Sequence, residues 1–139
     1  MRNIFFLLFV IIVFTSSLKS KGRVYHFTPD TVVLSGVLIE KMFYGPPGYG
    51  EHPKTDSKEY PFILKLSSPI SVVAHPNDSI NQTRINVKEI QTINFVHIKL
   101  IDFLGKRIKV IGTLSSALIG HDHTDVLIKI ITVNEIKNK

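Results

Sequence analysis

Five stretches of the chain read as β-strands, the clearest of them by alternation of apolar and polar positions with period two, the signature of a half-buried strand. Residues 31–42, TVVLSGVLIEKM, put Val32, Leu34, Gly36 and Leu38 on one face, and Gly36 in mid-strand predicts a bend or a close backbone approach. Residues 61–74 set Phe62, Leu64 and Leu66 against Ile63 and Lys65, with Pro69 breaking or bulging the run. A weaker third strand covers about 85–93. Lys106–Leu114 points Ile108, Val110, Gly112 and Leu114 inward and Arg107 and Lys109 outward. Asp125–Val133 is apolar on both faces, as a strand buried in a small barrel would be. Between the third and fourth strands Asn94 is placed to cap a helix over Phe95–Leu104, which Gly105 ends. Its wheel gathers Val96, Leu100, Ile101, Phe103 and Leu104, and His97 falls on that side as a hydrogen-bonded, semi-buried residue. The β-branched residues leave a strand over Phe95–Leu100 as the alternative.

Three strands, a helix and two strands is the order of the OB-fold, a five-stranded barrel that protects its edges by closure. The expected architecture is therefore mainly β: a small five-stranded OB-fold-like barrel over residues 31–136, with one helix between strands three and four. A different small β-barrel or roll is the competitor. Residues 21–30 form an N-terminal segment expected to be loosely held. In an OB-fold, ligands lie across strands two and three, between the loop joining strands one and two and the loop joining four and five.

Ahead of this domain, Met1-Arg2-Asn3 precedes an unbroken apolar run from Ile4 to Phe14. Eleven helical residues rise about 16 Å, roughly half of a bilayer core, so the run is too short to span. A basic start, a short apolar centre and then small polar residues describe a secretory signal peptide over residues 1–20, with a cut after Ser17 or Ser20. An uncleaved signal anchor is the alternative. After cleavage no stable membrane span is left, and the domain is expected to be periplasmic or secreted.

Length and composition fit one ordinary globular domain: 139 residues, 44% hydrophobic and 20% charged. The absence of cysteine excludes disulfides, zinc knuckles and thiol nucleophiles. The formal net charge is +6, but if the cut follows Ser20 both Arg2 and Lys19 leave with the leader, so the domain itself is only mildly basic. That is a weak argument for a polyanionic partner. Lys106, Arg107 and Lys109 read as the solvated face of a strand, and nucleic acid is disfavoured as the main partner of an exported domain.

Three segments carry a resemblance when taken in order: FYGPPGYG at 43–50, FILKLSSPISV at 62–72, and LGKRIKVIGTL with GHDHT at 104–124. They are similar to a family of exported bacterial proteins known as a domain of unknown function. Its motifs are L-x-G, F-x-G-P-P-x-Y, a strand ending P-I-C-V, a G-x-x-V-x-V-x-G-T-L strand and a G-H-H-H-T loop. The likeness covers about residues 31–133 and implies export and a shared fold, with no activity attached. Where the family carries one Cys this chain has Ser71, and the other falls near Val24, so the disulfide the resemblance implies is lost as a pair. The middle His of the loop is Asp122 here, which weakens a three-His metal reading.

The candidate site lies where the two unusual loops converge. Tyr44, Pro46, Pro47, Tyr49 and His52 sit on the first, and His121, Asp122 and His123 on the second, as candidate ligand-binding residues. Two tyrosines beside Pro46-Pro47 can stack on a sugar ring or a base, or anchor a protein partner. A rigid loop packed on its own barrel is the plainer reading. His121 and His123, one residue apart in extended backbone, present both imidazoles to one side. With Asp125 (or Asp122) as carboxylate, and His52 or His75 as a third nitrogen, they suit a divalent transition metal such as zinc, copper or nickel. The plainer reading is a polar hairpin whose imidazoles are solvated or hold the loop through backbone hydrogen bonds. Asn77-Asp78-Ser79 and Asn81-Gln82-Thr83 match the glycosylation sequon and read as polar turns in a bacterial chain.

No Ser-His-Asp spacing, phosphate-binding Gly loop or apolar carboxylate pair is present, which disfavours an enzyme. The expectation is an exported binding module for an envelope protein, a glycan or a small ligand, held in the groove between residues 43–52 and 115–125. An inhibitor of an envelope or secreted hydrolase is one concrete form. The alternative is a metal-binding protein or metalloenzyme that uses His121 and His123.

Overall fold

The five predicted strands form the five long strands of the protein. The computed structural model describes residues 22–137; the leader expected over 1–20 lies outside them. The strands are β1 (Arg23–His26), β2 (Thr31–Glu40), β3 (Phe43–Tyr44), β4 (Lys58–Glu59), β5 (Phe62–Val73), β6 (Arg84–Ile93), β7 (Arg107–Ser116) and β8 (Val126–Glu135). The long strands pair β5–β2–β7–β8–β6, and β6 pairs back onto β5, so the sheet closes into a ring. β6 and β8 run parallel and the other neighbours in the ring antiparallel, the OB-fold pattern.

Alternation sends one face of each strand into the ring. Leu38, Leu64, Ile90, Ile108, Leu114 and Ile128 are fully buried there. Each contributes about 1.5–3 kcal/mol over an exposed position. Gly36 lies where β2 passes from its β7 ladder to its β5 ladder. A Cβ at Gly36 would drive into the carbonyl oxygen of Lys65, so the predicted close approach is real. Pro69 marks a bulge as expected: Lys65 pairs with Glu89 and Ile70 with Val87, and the residues between loop out.

Two expectations are corrected. There is no α-helix among the described residues. In place of the helix over Phe95–Leu104 there is a single 3-10 turn, Leu100–Phe103. Val96, Ile98 and Ile101 are β-branched and stiff in a helix, and His97 has φ 55°, which breaks helical continuity. Of the expected apolar face only Leu100 is buried, with Phe103 packed beside it, whereas Val96 and Ile101 stand half exposed. His97 is exposed rather than semi-buried.

The N-terminal segment is not loose either. β1 pairs in parallel with β5 along the edge that β2 leaves beyond Leu66, and Phe27 is buried in the core. The register sets Val24 opposite Ser71. Those are the two positions at which the resemblance implies a disulfide, so the strand pairing that such a bridge would staple forms here without it.

Candidate functional site

The connection from β2 to β5 is a long excursion, residues 41–61, stiffened at its base by the β3–β4 ladder. Phe43 pairs with Glu59 and Tyr44 with Lys58, and two further bonds, Gly45 N–H to the Ser57 carbonyl and Ser57 N–H to the Pro46 carbonyl, prolong it. The tip is organised by Asp56. Its buried carboxylate accepts N–H bonds from Gly48, Gly50 and His52 at 2.8, 2.8 and 3.0 Å. Burial alone raises the pKa of Asp56, but those three donors outweigh it and hold the group below its ordinary value. Tyr49 is carried at φ 50°, a left-handed conformation that costs a bulky residue about 1–2 kcal/mol. The turn brings the hydroxyl end of its ring against Gly120 of the β7–β8 loop, where a Cβ would come within 2.6 Å of it.

That contact is one of several joining the two loops. Glu59 lies between both imidazoles of the β7–β8 loop, with Oε1 2.7 Å from His121 Nδ1 and Oε2 2.6 Å from His123 Nε2. The bond to His123, followed by that to His121, holds the Glu59 carboxyl below its ordinary value against the opposing effect of burial. His123 is stacked on Phe43, centroids 4.6 Å apart and planes 7° from parallel. His121 meets Tyr49 edge-on at 6.3 Å. From beneath, Gln91 on β6 donates its side-chain N–H to the His121 carbonyl and accepts the His123 N–H, while its own N–H goes to Thr124 Oγ1. Thr124 in turn donates to the Val126 carbonyl.

The two loops therefore converge as expected, and the structure sorts the expected residues. Tyr49, His121 and His123 come together, and Tyr44 lies at the edge of the same recess. Asp122 turns away and accepts the Leu118 and Ile119 N–H groups, so it shapes the loop. Asp125 is exposed and faces Arg84 at 3.9 Å, so the set His121, His123, Asp125 is not assembled. His52 is exposed in the tip held by Asp56, and His75 accepts an N–H from Asn77 in a separate turn. Pro46 and Pro47 are exposed and frame the tip. Glu59, Phe43 and Gln91 are site residues that the sequence reading does not single out: Glu59 sits in a polar loop, Phe43 reads as the start of the Pro-Gly loop and Gln91 as part of the third strand. The available signal was a carboxylate two residues ahead of a strand, in a loop expected to meet an H-x-H pair. Among the described residues no group of three His, Asp or Glu side chains is set to hold a metal ion.

What the loops leave open is a shallow recess of about 460 Å³ lined by Met42, Phe43, Tyr44, Tyr49, Gly120 and His123. It is mostly apolar, with Lys41 Nζ 5.4 Å from the Phe43 ring centroid at its border. A larger depression of about 590 Å³ lies elsewhere, beside the β5 bulge at Gly22, Arg23, Pro69 and Asn86. Its lining carries Arg23, Ser68, Ser71 and Asn86 and none of the aromatic or imidazole rings that wall the rim recess.

Residues 87–137 match the family model described as Domain of unknown function (DUF4431). The match runs from within β6, through the 3-10 turn and β7, across the loop bearing His121 and His123, to just past the end of β8. It supports the expected domain-of-unknown-function family and attaches no activity to it. No curated protein matches the chain. Among the described residues no helix is long and apolar enough to cross a membrane.

Proposed function

We propose that the protein is an exported binding module that takes its ligand on the barrel rim, in the recess of Met42, Phe43, Tyr44, Tyr49, Gly120 and His123. One observation carries this reading. The two loops are fastened to each other through Glu59, His121 and His123, and the fastening leaves a preformed, aromatic-walled hollow instead of closing it. A mostly apolar recess with a few fixed polar groups is the ordinary form of a recognition site. Preformed walls reduce the ordering cost of binding. An envelope protein, a glycan ring or a small ligand meets that chemistry, and an inhibitor of an envelope or secreted hydrolase is one form of it. Export rests on the leader, and N-terminal sequencing of the mature protein tests it, with a start at Leu18 or Lys21 expected. The recess is tested by capture from envelope extract with wild type and with a Tyr44→Ala/Tyr49→Ala variant shown to be folded. Loss of a captured species in the variant is expected; identical capture by both overturns the proposal.

One second reading is a metal-binding protein or metalloenzyme that uses His121 and His123, in which an incoming ion would have to displace the two imidazole bonds of Glu59, since no three-ligand group stands assembled among the described residues. Calorimetric titration with zinc and copper decides it. Binding tighter than about 10 µM that is lost in both His121→Ala and His123→Ala supports it, and weaker or unaltered binding removes it.

A further inference from the structure

The barrel wall carries a seam that no ladder closes. β2 pairs with β7 from Thr31 to Val37, but its ladder with β5 begins only at Gly36 and Leu66. Beyond Leu66, β5 bulges at Ser67, Ser68 and Pro69 and then pairs with β1 and β6. β1 and the first half of β2 are therefore left facing each other unpaired. In place of a ladder, the Tyr25 hydroxyl donates to the Val33 carbonyl at 3.3 Å. That bond shows which way β2 is turned. Backbone polar groups of successive residues point to alternate sides of a strand. Leu38, of opposite parity to Val33, bonds Gly105 and Lys106 on the β7 side. Val33 and Ser35 thus aim their N–H and C=O groups into the seam, where no strand takes them up among the described residues. A narrow cleft of about 40 Å³ marks the place, lined by the buried side chains of Leu34 and Ile70 and by Arg23 and Ser68.

The edges and the charges of the seam favour one kind of occupant. Unpaired donors and acceptors in alternation are complemented by another main chain, and an extended peptide added to a sheet edge supplies one. A phosphodiester backbone would meet the surrounding cations but has no donor for the Ser35 carbonyl. Those cations lie on the outer face of the wall. Cross-strand partners share a face, so the register sets Lys109 beside Ser35 and puts Arg107, Val37 and Lys65 in one row. With Arg23 these four cations are exposed, and none forms an ion pair among the described residues. The carboxylate at the end of that row, Glu89, is engaged by Lys41 at 2.6 Å. Glu135, beyond β7, is engaged by Lys106 at 3.2 Å, and Asp30 lines a separate pocket with His26 and His75. Two copies of so basic an edge would repel each other, whereas acidic side chains would be drawn to it. Side chains pointing inward from an added strand would meet Leu34 and Ile70, so that set has to be apolar.

We propose that the seam between β1 and β2 is a strand-insertion site for an extended peptide in which apolar residues alternate with acidic ones. The Tyr25 side chain withdraws, the peptide's main chain takes over its bond to Val33, and the acidic set meets Arg23 and Lys109. This site lies on the wall, apart from the rim recess, and does not rest on that reading. The test titrates the purified protein with a short synthetic peptide in which valine alternates with glutamate, beside the same peptide with lysine for glutamate. Binding of the glutamate peptide is expected, with the Val33 and Ser35 amides gaining at least about tenfold protection from exchange. The lysine peptide should bind about tenfold more weakly, and high salt should erase most of that difference. Ser35→Pro removes a seam-facing N–H outside the β7 ladder and should lose at least about tenfold in affinity. Arg23→Gln/Lys109→Gln leaves the backbone edge intact and should lose the preference for glutamate over lysine. Methylating alternate amide nitrogens of the peptide, in either set, should abolish binding, because an inserted strand pairs on both edges. Tyr44→Ala/Tyr49→Ala, which alters the rim recess, should bind the peptide like wild type. No binding of the glutamate peptide by wild type, equal binding of the two peptides, or protection gained at the rim in place of Val33 and Ser35 overturns the proposal. A peptide-free dimer in sedimentation velocity that Ser35→Pro dissolves also overturns it and assigns the seam to a second copy.

Discussion

The wall of the barrel and its rim are held together in different ways. The wall is a closed ladder over an apolar interior, with no charged side chain among the buried residues that line it. The rim has almost no ladder of its own, two residue pairs between β3 and β4, and is fastened by side chains: Asp56 to three amides, Glu59 to two imidazoles, Gln91 to two loop positions. Packing is diffuse, so the wall should respond to volume and hardly at all to pH. Hydrogen bonds to a carboxylate are local and titratable, so the rim should respond to single polar changes and to acid.

The strongest way to break this contrast is in the wall. Leu64→Ala removes a fully buried side chain and should cost about 2–5 kcal/mol in urea unfolding, with little dependence on pH between neutrality and mild acid. A cost that changed markedly with pH would show that the wall and the rim are not separable.

Stapling the wall should sharpen the contrast in the opposite direction. Partners in adjacent strands lie about 4.8 Å apart, within reach of a disulfide. Since Val24 and Ser71 are such partners, Val24→Cys/Ser71→Cys should oxidise within one molecule and add about 2–4 kcal/mol, read as a higher Tm that reductant reverses. Free thiols or intermolecular dimers would mean that the β1–β5 register is wrong. Gly36→Ala should be costly, about 1–3 kcal/mol, because the β2 backbone must move off Lys65. A neutral result would remove the close approach as a determinant of barrel curvature.

The smallest global effect belongs to the rim. Glu59→Gln keeps the shape but weakens two bonds, and should cost about 1 kcal/mol or less overall while amide exchange at residues 118–123 accelerates clearly. The carboxyl of Glu59 is held below its ordinary value of 4.5 in the folded protein. Its contribution is therefore fully present above about 4.5 and is lost as pH falls through the lowered folded value. Asp56 and Asp78, also lowered, act with the same sign. Rim amides of wild type should lose protection in that acid range, and Glu59→Gln should flatten the part of the profile due to this residue.

The same division explains what could be read from sequence. The wall was legible because alternation is periodic: Val32, Leu34 and Leu38 announce both a strand and its buried face, and five such runs in order specify the ring. The helix was misread because Val96, Leu100, Ile101 and Phe103 have helical spacing, while the left-handed backbone at His97 leaves no trace in that spacing. In the rim, Tyr49, His121 and His123 were found as unusual residues on two loops that the fold brings together. Glu59 was not, because what matters about it is a partner 62 residues away. Asp122 stood in the right loop and was given the wrong task, since a carboxylate aimed at its own backbone looks the same in sequence as one aimed at a ligand.

The parallel pairing of β6 with β8 also has a consequence for how the chain acquires its shape. Among the described residues β8 is the last strand, and it alone joins β6 to β7 in the ring. Until residues 126–135 have emerged, β6 and β7 each keep an open edge, and no earlier strand can serve in their place. Contacts so distant along the chain form slowly. A polypeptide made from its N-terminus thus stays open at this seam until β8 has been made, and closes when that one strand fills both edges.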